Sequence, residues 1–289
     1  MTGRRLEYDN ITVEYFRSLP EMHATLKTRE VVYERDAFLT EGYEDYCHPK
    51  KSFNGFSSVE ELRRQVVGGS KDIKEVKNVR AFAHSLKCND LKGRGKKPSC
   101  ITGQFRMGRY LDGDPMCFDR TVRIMKPNKL IKLVVNMSAD GSVPPEDIED
   151  ACKIVARNVV ALEKEGYRVR LTVCKCNHFW DNDTYHTAVV DLKDEGHCVN
   201  YRKLCFGLSV MMYRGAFFSW LACEPECPSG LGTAESDEDL VGPMLVKVLN
   251  PKGVWYTHLY DLMDLVRKNR HDLYKASDAL HAQIIESME

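Results

Sequence analysis

The stretch IKLVVNMSADGSVPPEDIEDACKIVARNVVALEKEGYRVRLTVCK, residues 131–175, decides the fold. It opens on an apolar run, stops at the polar loop NMSADGS (136–142), and restarts at Pro144-Pro145. Proline is tolerated in the first turn of a helix, where no intrahelical N–H is needed. Glu146, Asp147, Glu149 and Asp150 then set negative charge at the positive end of the helix dipole. Ile148, Ala151, Cys152, Val155, Val159 and Leu162 recur at helical spacing as one apolar stripe. Gly166 supplies the stop, and YRVRLTVCK (167–175) alternates like a strand. Strand, helix and strand in this order require a parallel pair with a right-handed crossover. The expected class is therefore α/β, a Rossmann-like open sheet with flanking helices.

Toward the C-terminus the pattern continues with a strand over 184–192 and an all-round apolar helix over 200–220. A surface loop follows over 224–242, then a strand in PMLVKVL (243–249) and an amphipathic helix over 256–269. Residues 274–289 read as a terminal helix or tail. The first hundred residues read as mainly helical. Ser57 or Ser58 with Glu60 or Glu61 makes a capping-box start, Val59, Leu62, Val66 and Val67 follow, and Gly68-Gly69 ends the segment. A second helix is expected over 72–86, with Ile73, Val76, Val79, Phe82 and Ala83 on one face. Residues 89–100 form a Gly/Lys/Pro segment without apolar periodicity, expected to be a loop. Its Lys92, Arg94, Lys96 and Lys97 are candidate phosphate contacts. After the turn at 112–115, the apolar runs 121–125 and 130–137 are close enough for a hairpin. These readings divide the chain into a helical region 1–100, an α/β domain 101–273 and a tail 274–289.

The chain has 289 residues, 43% of them hydrophobic, enough for a sizeable core. Lys plus Arg equals Asp plus Glu at 42 each, so no overall charge draws it to nucleic acid or anionic membrane. The first residues lack the apolar core of a signal peptide. The apolar run 204–223 carries Arg214 at its centre, which is costly in lipid and ordinary in a soluble core, so no membrane partner and a cytosolic location are expected. Eleven cysteines without a secretory signal read as buried free thiols, or more sharply as zinc ligands drawn from Cys174, Cys176, His178, Cys223 and Cys227.

The loop after the first strand lies where open α/β sheets place their ligands. Asn136, Ser138, Asp140 and Ser142 offer oxygens within a short span that suit Mg²⁺ better than phosphate, because four acids follow. The plain alternative is a turn that caps the helix. This loop and its topology resemble the von Willebrand A-type fold, whose first strand ends in D-x-S-x-S. Asn136 stands at the first Asp, Ser138 matches the first Ser and Asp140 replaces the second, so the resemblance implies a degenerate metal site. Asp181 or Asp183 is the candidate for its missing acid.

A second resemblance covers most of the chain. SFNGFSSVEELRRQVVGGSKD (52–72), RYLDGDPMCF (109–118), the strand–helix–strand unit and NYRKLCFGLSVMMYRGAFF (200–218) are similar to an uncharacterised family seen mainly in tailed bacteriophages and mobile elements. It implies a phage-encoded protein of the host cytoplasm or the virion, and brings no activity. No G-x-S-x-G, P-loop or G-x-G-x-x-G occurs. The expected function is thus non-enzymatic binding of a protein partner, with no required cofactor. Nucleic acid is a further partner through the basic segment. The alternatives are a metal-dependent nuclease or other hydrolase using His178, Asp181, Asp183 and His186 with Mg or Zn, and a virion structural subunit.

Overall fold

The computed structural model describes residues 4–8, 10–85, 92–101, 103–125, 129–179, 183–225, 233–234 and 254–288. The chain begins with strands β1 (Arg4–Tyr8) and β2 (Ile11–Phe16). Helices α1 (Leu19–Leu26), α2 (Lys51–Asn54), α3 (Val59–Gly68) and α4 (Ile73–His84) follow. Next come β3 (Lys92–Ser99), β4 (Gln104–Phe105), α5 (Met107–Leu111) and β5 (Phe118–Met125). The central unit is β6 (Leu130–Asn136), α6 (Pro145–Glu165) and β7 (Arg168–Phe179), and β8 (Thr184–Lys193) pairs back on it. The chain then runs through α7 (Tyr201–Gly207), a π-helical turn (Met212–Ala216) and α8 (Phe217–Leu221). It ends with β9 (Thr233–Ala234), β10 (Val254–His258), α9 (Leu259–Lys268) and α10 (Leu273–Glu286).

The main sheet runs in the order β1-β2-β8-β7-β6-β10, with β9 on β7. Pairs β10/β6, β6/β7 and β2/β8 are parallel, while β7/β8 and β1/β2 are antiparallel. This is the expected open α/β sheet, and β6–α6–β7 is its parallel crossover. Helix α6 begins at the proline and ends at Gly166, whose φ of 96° is the left-handed stop a glycine adopts without cost. The sheet's alternation separates two faces. Ile131, Leu133, Val135, Val169, Leu171 and Val173 join the large core built with the helices. Val13, Val134, Cys174, Cys176 and Val189 form a second, smaller cluster on the other face.

Five local expectations change. The first sixteen residues are not part of a helical region: β2 pairs in parallel with β8 and brings the N-terminus into the main sheet. Residues 92–99 are not a loop but strand β3, paired with β5 from Lys92↔Met125 to Ser99↔Phe118. β3 is an edge strand of a three-stranded sheet, β3-β5-β4, and edge strands accept the glycine, proline and charge that erase apolar periodicity. Consequently β5 makes no hairpin with β6, since its partners are β3 and β4. The apolar helix expected over 200–220 breaks after Gly207, at Leu208 with ψ 63°, and resumes with the π turn. There Gly215 is required by packing, because a Cβ would lie 2.8 Å from the Phe56 ring and 2.9 Å from Leu62.

The helix expected from 256 starts instead at Leu259, capped by His258 and Asp261, and Val254–His258 is the sheet's edge strand. The strand expected over 243–249 lies outside the described residues. Among the described residues no single helix is long and apolar enough to cross a membrane. The pair 201–207 and 212–221 has that length and composition only together, bent by 58°.

Candidate functional site

The mouth of the sheet, beyond the carboxyl ends of β6, β7 and β10, is filled by the chain's own polar groups. Asn136 is fully buried; its Nδ2 donates to the Tyr256 hydroxyl at 2.9 Å and its Oδ1 accepts from the Ser138 N–H at 3.0 Å. The Ser138 hydroxyl, also fully buried, donates to the Cys176 carbonyl at 2.9 Å and accepts from the Cys176 N–H at 2.8 Å. Asp140 is exposed and accepts from the Ser142 N–H at 2.7 Å, which holds its carboxyl below the usual range. Asn136, Ser138 and Asp140 thus each serve the turn itself, and Ser142 enters it through its backbone N–H. Two residues of the π turn complete the lid. The Tyr213 hydroxyl donates to the Ala139 carbonyl, and Arg214 donates from Nη2 to the carbonyls of Gly141 (3.0 Å) and Val143 (2.6 Å) and from Nη1 to that of Phe53 (3.1 Å). A π turn lays consecutive large side chains over one place, a geometry recurrent at functional sites.

Under that lid lies Lys175 of β7, 2% exposed, with its ammonium 4.6 Å from the centre of the Tyr213 ring and 5.4 Å from that of Phe218. Burial pulls its pKa down to about 7; Cys176 opposes this as the next largest effect, and the charge of Arg214 adds a smaller push downward. On the same face, a row of charges closes the edge of the sheet. Glu224 is fully buried and meets Arg5 (3.1 Å), Arg29 (3.2 Å) and His186 (2.8 Å). Glu14 pairs with the same Arg29 at 2.5 Å and accepts from the Trp220 indole at 2.7 Å.

The proposed metal donors are split between the two faces. His178 stacks on Tyr185 and meets Asp183 at 2.9 Å on the face of Cys174 and Cys176, whereas His186 and Cys223 face the helices. Cys223 lies 3.5 Å from the Thr40 hydroxyl there. Among the described residues no group of three His, Cys, Asp or Glu side chains converges as metal ligands. Asp181 and Cys227 lie outside the described residues. Cys174 and Cys176 are buried, and burial drives the Cys174 thiol well above its ordinary value.

The small sheet is built the other way. Around β4 and α5, Ile101 (79% exposed), Leu111 (75%), Tyr110 (60%) and Met107 (59%) stand in solvent, with Phe105 and Met116 partly so. Phe105 joins them by ring contacts to Tyr110 and Phe118 at 5.5 and 5.4 Å. Arg106 and Arg109 both bind Asp119, at 2.6 and 3.1 Å. Between residues 92 and 125 the sequence has eight basic and three acidic residues in a chain of net charge zero. Sequence reading saw Lys92, Arg94, Lys96 and Lys97 but missed the apolar residues. Their signal was partial: Met107, Tyr110 and Leu111 stand at the i, i+3, i+4 spacing of one helix face, and Ile101 lies apart from it.

Fold and site together define an α/β protein with a self-filled sheet mouth and an antiparallel insertion between α4 and β6. Within that class the chain belongs to a family described as a domain of unknown function, DUF7192, whose model matches residues 4–253. No curated protein matches it, and no solved structure does.

Proposed function

We propose that this is a non-enzymatic interaction protein that grips an acidic partner protein through the insertion, residues 92–125. The observation that carries the reading is the exposed group Ile101, Met107, Tyr110 and Leu111. Large apolar side chains gathered in solvent mark contact surfaces, and the surplus of basic residues in the same stretch of sequence selects a partner of opposite charge. The polar loop at 136–142 supports the fold in this reading and takes no part in the contact.

A photocrosslinker placed at Tyr110 tests it, with the same group at exposed Tyr46 as control. Capture of an acidic protein from Tyr110 alone, reduced by salt and indifferent to EDTA, supports the proposal. Capture of DNA or RNA instead replaces the partner class, and equal capture from both positions removes the surface. The proposal includes the phage origin that the sequence resemblance implies, with the contact made in the host cytoplasm or the virion, and detection of the chain in purified particles tests it. The pairing of His178 with Asp183 leaves one observation for a nuclease. Incubation of labelled DNA and RNA with Mg²⁺, Mn²⁺ or Zn²⁺ settles that alternative.

A further inference from the structure

A cleft of about 1030 Å³ opens between α3, α4, the first turns of α6, the end of α7 and the start of α10, away from the insertion. That volume is at the upper end of what small-ligand sites enclose. Phe82, Phe206 and Tyr274 give it apolar walls, and Gln65, Glu75 and Glu149 are its acceptors. Gln65 is 6% exposed; its amide nitrogen donates to Glu61 at 3.5 Å, while its Oε1 has no hydrogen-bond partner. A buried acceptor left so costs roughly 1–3 kcal/mol, and folded proteins seldom keep one without a use. Glu75 accepts from the Ser70 hydroxyl at 3.3 Å. Burial first, then the charge of Glu149, holds the Glu75 carboxyl above the usual carboxylate range, and burial does the same to Glu149.

The sign of the ligand follows from which groups are already engaged. Two helix N-termini border the cleft, but their amides are spent. Asp72 accepts from Lys74 and Glu75 N–H, both at 2.9 Å, and Asp272 from Tyr274 and Lys275 N–H at 3.1 and 3.2 Å. The lysines Lys51, Lys71 and Lys74 are exposed, and Lys153 is held by Asp150 at 2.8 Å. An anion would find its donors on the exposed lysines, where water competes for them, whereas a cation finds two carboxylates and the buried Gln65 amide oxygen beside aromatic walls that favour positive charge.

We propose that this cleft binds a small organic cation, a primary ammonium or guanidinium on an apolar stem, with its charged end between Glu75 and Glu149 and within reach of Gln65. The same chemistry comes from a free amine or from a Lys or Arg side chain of a peptide. Calorimetric titration of the full chain with agmatine, and separately with an acetylated, amidated arginine peptide, distinguishes the two sources. Saturable binding of either, weakened at least tenfold by Glu75→Gln and by Glu149→Gln, is the expected result. Both variants relieve repulsion, so their thermal midpoints should not fall, and Gln65→Leu should weaken binding while keeping the fold. No saturable binding of either probe overturns the proposal. So does binding unchanged in Glu75→Gln, or equal binding of a neutral butyl alcohol.

Discussion

The sheet mouth and the insertion handle exposed groups in opposite ways. At the mouth, polar atoms are buried and satisfied by their neighbours: Asn136 by Tyr256, Ser138 by Cys176, and three carbonyls by Arg214. In the insertion, apolar side chains stand in solvent while Arg106 and Arg109 are fixed on Asp119. A buried polar network stabilises and specifies one conformation, because each member becomes costly once its partner is removed. An exposed apolar group adds little to the fold and is left for contact. The position where α/β sheets usually bind is filled here by the chain's own groups, and the proposed recognition surface lies on residues ahead of β6.

The closed mouth depends most on Arg214. Arg214→Met deletes the donors to Phe53, Gly141 and Val143 and leaves the buried Val143 carbonyl and two part-buried carbonyls unpaired, a loss of about 3–5 kcal/mol. Urea unfolding should show it as a lower midpoint. A loss below 1 kcal/mol would mean that the lid over the mouth is not held by this residue.

Next in size, and opposite in sign, is Lys175→Met. The folded pKa of about 7 lies below the ordinary 10.5, so the unfolded chain binds a proton that the folded chain does not. This costs stability at neutral pH, and the cost fades as pH rises toward 10.5. Methionine fills a similar volume with no charge to desolvate. The variant should be more stable than the wild type by on the order of 3 kcal/mol at pH 7, with the gap closing progressively above it. Buried thiols that resist ionisation are common to both proteins and cancel in the difference. A gap that is flat with pH would show that the amine is not held neutral.

Ser138→Ala comes third, at about 1–3 kcal/mol, because one hydroxyl serves both the N–H and the carbonyl of Cys176. Its use is to separate two roles for the loop. As a turn, the loop loses stability equally with and without EDTA. As a cation site, the loss would shrink once metal is removed.

How much of this was legible follows from which groups carry the signal. The β6–α6–β7 unit was plain, since Pro145, the acids after it, the stripe from Ile148 to Leu162 and Gly166 all point one way. Strand β3 was not, because KGRGKKPS has no apolar alternation in its sequence, and its strand shows through its pairing with β5. The break after Gly207 was hidden for a related reason: an all-apolar run gives no period to lose, so the π turn shows only in how Tyr213 and Arg214 reach the 139–143 carbonyls. At the site, residue type suggested Asn136 and Ser138 as ligands. Only cross-strand neighbours distant in sequence, Tyr256 and Cys176, reveal that their polar atoms are engaged. His178 and His186 looked like one cluster because they are close along the chain, yet β7 and β8 place them on opposite faces.

The smallest effect on stability is expected in the insertion, where it sharpens the comparison. Leu111→Ser replaces a side chain that is 75% exposed, so the unfolding midpoint should move by less than about 0.5 kcal/mol. Binding should behave differently. A residue near the centre of an apolar contact commonly contributes more than 1 kcal/mol, so capture of the partner should weaken by about tenfold. Lys96→Glu should weaken it more at low salt than at high salt, because removing positive charge from the insertion acts mainly through long-range attraction. Should Leu111→Ser instead cost several kcal/mol of stability with unchanged binding, the insertion would be part of the core rather than a surface for a partner, and its likeness to the sheet mouth would be restored.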